Sequence, residues 1–98
     1  MESLQKICEI SDLKENFLNE FEVNEKKIIV LKKDSKIFIL DGICLHKGAP
    51  LCKGILKEKF IQCPWHGCLW NIENGENEHN SMKLKTYKPK IINKKLYI

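Results

Sequence analysis

Apolar residues in this chain fall in short runs, bounded by lysines and by turn-forming residues. Lys27 to Lys32 and Lys36 to Leu40 are rich in Ile and Val and read as strands. Lys33-Asp34-Ser35 between them has turn chemistry, which predicts a hairpin. Leu4 to Ile10 reads as a first strand, although its alternation is imperfect. Ser11 to Phe21 fits two templates. Leu13, Phe17, Leu18 and Phe21 recur at helical spacing with Ser11 able to cap, yet Phe21 to Val23 also fits a short strand. Ile55-Leu56 and Phe60 to Gln62 bracket Lys57-Glu58-Lys59 as a small hairpin, and Cys68 to Ile72 is a further strand ending at the turn signal Asn74-Gly75. Leu84 to Tyr87, Lys90 to Ile92 and Leu96 to Ile98 complete the set, with Asn93-Lys94 as a turn. The pattern is that of an antiparallel β fold drawn from both ends of the chain.

Ninety-eight residues suit one domain with one modest core. Apolar residues make up 43% of the chain, and no apolar run approaches the length needed to span a bilayer. The first residues, MESLQKICEISDLKEN, carry acids where a secretion signal needs a basic and then an apolar region, so a cytoplasmic protein is expected. Five cysteines, an odd count, argue against a disulfide framework.

The net charge of +4 is uneven: residues 1–25 hold seven acids and two lysines, and the remainder fifteen lysines and six acids. All seventeen basic residues are lysine. Without arginine for bidentate base contacts, a nucleic-acid partner is not expected. The lysines read mainly as solvated strand faces, with docking of an acidic redox partner as the alternative.

The candidate chemistry lies in residues 44–70, CLHKGAPLCKGILKEKFIQCPWHGCLW. Cys44 and His46 form one pair and Cys63 and His66 another, sixteen residues apart. Two Cys and two His can hold a tetrahedral zinc or a two-iron cluster. Zinc modules commonly group like ligands; here Cys and His alternate, an order that lets each loop give its Cys to one iron and its His to the other. His79 stands among Asn and Glu and reads as solvent-exposed. Cys8, Cys52 and Cys68 are left over and read as small, partly buried thiols.

These residues resemble the Rieske family, whose pattern runs C-x-H-x-G-x-x-L and then C-P-x-H-G. Here Cys44, His46, Gly48 and Leu51 match the first part, and Cys63, Pro64, His66 and Gly67 the second, with Gly75 at the family's trailing turn. The match is specific over about residues 41–76. It implies an all-β, Rieske-like antiparallel sandwich, with a cluster-binding subdomain at about residues 42–72 inserted between the terminal strands. It implies a loop with at most a short helical turn over Ser11 to Phe21. It implies a [2Fe-2S] cluster with Cys44 and Cys63 on one iron and His46 and His66 on the other, near an apolar collar of Leu45, Pro50, Pro64 and Trp65. High-potential members carry a disulfide between the two loops and a Ser and a Tyr that donate hydrogen bonds to cluster sulfur. The matching positions here hold Ala49 and Trp65, and Cys68 and Trp70.

The function implied is one-electron transfer from a reductase to a terminal oxygenase or other reductase, by a chain expected to be monomeric when free and to need no membrane. The alternatives are a small Rieske subunit of a larger redox enzyme, such as assimilatory nitrite reductase, and a zinc-stabilised binding module. An oxygenase is disfavoured: its mononuclear iron needs a 2-His-1-carboxylate set, and His79 is the only spare histidine.

Overall fold

The computed structural model describes residues 4–43, 48, 50–64, 68–77 and 81–98. Among the described residues, ten strands form three antiparallel sheets. Among the described residues the helical content is two single 3-10 turns, at Ile10–Asp12 and Leu51–Lys53. Among the described residues no helix is long and apolar enough to cross a membrane.

The central sheet contains β2 (Asn19–Val23), β3 (Lys26–Lys33), β4 (Lys36–Asp41) and β8 (Thr86–Tyr87), in that spatial order. β3 shows why Ile-Ile-Val-Leu runs unbroken. Ile29 and Leu31 face one buried cluster, with Leu40, Leu51, Ile61, Trp70 and Leu84. Ile28 and Val30 face a second, with Cys8, Leu13, Ile39 and Leu96. Both faces of the strand are therefore covered, so alternation gives way to a continuous apolar run. Each of these four side chains is at most 1% exposed, and burial on that scale stabilises by about 1.5–3 kcal/mol per side chain.

A second sheet joins the chain ends: β1 (Lys6–Glu9) pairs with β10 (Lys95–Tyr97), which pairs with β9 (Lys90–Ile92). It covers the Ile28/Val30 side of the central sheet. The third sheet, β5 (Ile55–Lys57), β6 (Phe60–Gln62) and β7 (Leu69–Asn71), is inserted between β4 and β8 and covers the other side. The Lys33 ammonium donates to the Glu58 carbonyl, tying the central hairpin to the inserted one.

Three two-residue turns, Asn24-Glu25, Asp34-Ser35 and Asn93-Lys94, have both residues at positive φ, between 50° and 66°. That conformation matches the twist of antiparallel strands, and Asn or Asp at the first position tolerates it best. Asn74-Gly75 differs from a tight hairpin turn. Gly75 alone has positive φ, +77°. The chain leaves β7 by a wider return, with the Asn71 amide donating to the Glu76 carbonyl and the Gly75 amide to the Asn71 carbonyl, both at 2.8 Å. A Cβ on Gly75 would sit 2.2 Å from the Leu84 carbonyl oxygen, so the close passage of residues 75 and 84 requires glycine.

The segment before β2 is not a helix. Leu13 enters the terminal-sheet core and Leu18 the opposite core, while Phe17 stays 49% exposed. Asn19 holds this loop and starts β2 two residues before Phe21. Its buried amide donates to the carbonyls of Lys14, Phe17 and Val30 at 3.1–3.2 Å. The last expected strand before the terminal sheet is also shorter, Thr86–Tyr87 rather than Leu84 to Tyr87.

Tyr87 anchors the end of β4. Its hydroxyl donates to Asp41 Oδ1 at 2.6 Å, just before the chain enters the first ligand loop. Burial, then the hydrogen bond to Asp41 and its negative charge, raise the Tyr87 pKa well above the ordinary phenol value. The hydroxyl donates only while protonated. Its contribution is therefore full below about pH 10 and fades as pH climbs toward the folded-state value. Tyr87→Phe is expected to cost about 1 kcal/mol at neutral pH and to leave phenolate absorbance at about pH 11 unchanged. A loss of that absorbance in the variant would show that Tyr87 ionises normally.

Candidate metal centre

The two Cys/His pairs belong to two loops, and each loop is closed at its base by main-chain contacts. At the first, Ile43 and Pro50 form an antiparallel bridge, and the Leu51 amide donates to the Gly42 carbonyl at 2.9 Å. The Gly42 amide in turn donates to the Lys27 carbonyl at 2.8 Å, fixing this base to β3. Gly48, inside the loop, has φ +71° with no atom near its missing side chain. Backbone conformation, not space, calls for glycine there. At the second loop the Cys63 amide donates to the Cys68 carbonyl at 2.8 Å, extending the β6–β7 ladder across residues 64–67.

The two bases share one core. Leu51, which ends the first loop, and Cys63, which begins the second, belong to the same buried cluster as Ile61 and Trp70. Cys63 is 2% exposed, while the adjoining Pro64 is exposed. Of the four expected ligands, Cys63 is placed in this way. Cys44, His46 and His66 lie outside the described residues, as do Leu45, Ala49, Trp65, Gly67 and His79. Among the described residues, accordingly, no three His, Cys, Asp or Glu side chains converge as a metal site.

The leftover thiols behave differently from a ligand. Cys8 lies in the core beneath the terminal sheet, and burial, with Asp12 nearby, raises its pKa. Burial and a hydrogen bond to Glu20 raise that of Cys52. Cys68 is partly buried against the same core as Cys63.

One polar group in this core has no partner among the described residues. Trp70 is fully buried, and its indole Nε1–H finds no acceptor. A donor left unmade in such surroundings costs about 1–3 kcal/mol. An orphan donor beside a buried cysteine, at the base of two loops carrying Cys and His, fits a site that holds a sulfur-rich group. The sequence signalled Trp70 only as a departure from the tyrosine of high-potential proteins.

A family model described as the Rieske [2Fe-2S] domain matches residues 3–88. The chain belongs to the Rieske family. Its cofactor is therefore a [2Fe-2S] cluster. Human apoptosis-inducing factor 3 is 33% identical over 94 residues, covering 94% of this chain but 16% of that protein. The ferredoxin component of the alkene monooxygenase system of Xanthobacter autotrophicus (strain ATCC BAA-1158 / Py2) is 28% identical over 71 residues, 71% of this chain and 58% of that one. The chain thus spans about a sixth of the length of the first relative and less than two-thirds of the second. Among solved structures, the Sphingomonas yanoikuyae B1 ferredoxin superposes with a TM-score of 0.89 at 23% identity, over 98% of this chain and 97% of that one. The Rieske fold expected from the sequence, an antiparallel β architecture with an inserted third sheet, is the fold observed.

Proposed function

We propose that this chain is a one-electron carrier, taking electrons from a reductase and passing them to a terminal oxygenase or another reductase. In this reading residues 1–98 act as one Rieske domain and residues 42–72 as its cluster-binding part. Cys44 and Cys63 hold one iron, and His46 and His66 the other. The observation that carries the reading is the pair of loops closed at their bases on one buried core, with Cys63 buried and Pro64 exposed beside it. Such a mount holds one side of the site rigid and dry and leaves the other within reach of a partner. When bound, the cluster accepts and releases one electron. The thiolates and neutral imidazoles add two negative charges rather than four, which favours the reduced state relative to an all-Cys site. The second ring nitrogen of each imidazole is left to donate to backbone, water or a partner. The carrier is cytoplasmic and, when free, monomeric.

Anaerobic titration with dithionite tests the proposal. The protein is expected to take up one electron per chain and return it to an added one-electron acceptor. It should oxidise no organic substrate alone with NADH and oxygen. Uptake of no electron, or turnover of substrate by the isolated chain, would contradict it. A second reading, in which this domain is the electron-transfer module of a larger redox protein, is favoured by the human relative, of which the matched region is 16%. Neither iron-ligand set nor one-electron chemistry differs between the two readings.

A further inference from the structure

Antiparallel pairing in the inserted sheet decides which side chains share a face. Trp70 pairs directly with Ile61, and Gln62 with Leu69. The ladder continues with the Cys63 amide donating to the Cys68 carbonyl. Side chains alternate along a strand, so Ile61, Cys63, Cys68 and Trp70 occupy one face. Cys63 is the diagonal neighbour of Trp70, a separation that an aromatic side chain can bridge. Both residues are buried, at 2% and 0% exposure, in the same cluster. The fully buried neighbours in that cluster, Leu51, Ile61, Leu40 and Leu84 among them, have hydrocarbon side chains that offer no acceptor. The indole N–H is thus a sequestered donor without a partner among the described residues, and native structures rarely leave such a group unexplained.

We infer that the Trp70 indole N–H donates a hydrogen bond to sulfur at the cluster, either a ligand thiolate or a bridging sulfide. The inference rests on the cluster lying between the two loops, as proposed above. Trp70 touches no electron-transfer partner. It is a positioning and tuning residue, and its effect is on the relative stability of the two oxidation states. A hydrogen bond to sulfur stabilises the reduced site more, because that site carries the additional negative charge. The position therefore keeps a donor although it has no phenol.

The test uses the loaded protein with tryptophan labelled by ¹⁵N at the indole, reduced and examined by pulsed EPR. Coupling of the label to the cluster spin is expected, persisting in Trp65→Phe and lost in Trp70→Phe. Trp70→Phe is expected to weaken the preference for the reduced state about five-fold, which lowers the midpoint potential by ~40 mV at 59 mV per decade. Deuterium exchange should shift iron–sulfur stretching bands in the resonance Raman spectrum of the wild type. A shift in terminal bands identifies a thiolate acceptor and one in bridging bands a sulfide. Coupling that survives Trp70→Phe, or an unchanged potential in that variant, would overturn the inference. So would absent coupling in protein that retains its iron and sulfide, a measurement that needs no variant to fold. A chain that binds zinc alone overturns both this bond and the cluster ligation on which it rests.

Discussion

His46→Ala and His66→Ala are each expected to abolish the native cluster spectrum. In the proposed ligation each removes one of the two imidazoles that distinguish the iron site from an all-Cys one, and a small side chain supplies no replacement ligand. Cys44→Ser and Cys63→Ser are expected to have the same effect or leave a labile remnant, because a serine hydroxyl is far less readily ionised than a thiol. Cys63 adds a structural reason: it is buried in the cluster that seats both loop bases, so its loss also disturbs the core. Cys8→Ser, Cys52→Ser and His79→Ala keep iron content and spectrum. Cys8 lies on the far side of the central sheet, and burial raises both thiols away from the thiolate that a metal takes. Iron and acid-labile sulfide analysis of the seven variants checks this. Loss of iron in Cys8→Ser or Cys52→Ser, in protein that remains folded, would show that the ligands were wrongly assigned.

The midpoint potential at neutral pH is expected to lie in the lower part of the Rieske range of about −150 to +300 mV, below about +100 mV. The positions of the inter-loop disulfide hold Ala49 and Trp65, so no such bridge forms. The position of the serine donor holds Cys68, a weak donor. Each missing hydrogen bond to sulfur, at about 1 kcal/mol, lowers the potential by about 40 mV. Read from the sequence alone, the tyrosine bond is also missing, for a total of about 80 mV. Donation by Trp70 halves that deficit without restoring the disulfide. Cys68→Ser is therefore expected to raise the potential by about 40 mV. Protein-film voltammetry measures both quantities. A wild-type value above about +100 mV would contradict the hydrogen-bond argument and the assignment to a reductase-to-oxygenase path rather than quinol oxidation.

Local pattern made the hairpins legible. Lys27 to Lys32 and Lys36 to Leu40 are strands because Ile and Val fill both faces of a covered sheet, and Asp34-Ser35 turns between them as its chemistry predicts. The inserted hairpin and the Asn93-Lys94 turn follow the same logic. What was hidden depends on contacts distant in sequence. The spacing of Leu13, Phe17, Leu18 and Phe21 mimics a helix, yet the loop delivers Leu13 and Leu18 to opposite cores and leaves Phe17 in solvent. Asn19 reads as a loop residue, but three carbonyls satisfy its amide and let it open a strand. Asn74-Gly75 looks like a tight turn; the glycine is instead demanded by the Leu84 carbonyl. At the metal centre, the interleaved Cys and His were visible as a motif, and the loop bases that would hold them are now placed. The Tyr87–Asp41 clasp and the orphan indole of Trp70 carry no local signature, because each needs a partner from another strand or from the cofactor.

Metal and sulfide analysis of freshly purified protein, with its visible absorption and its EPR spectrum after reduction, tests the central claim most directly. The account predicts a red-brown protein with about two irons and two acid-labile sulfides per chain, and an EPR signal that appears only on reduction. A colourless protein with one stoichiometric zinc, reproduced after anaerobic expression, would contradict it.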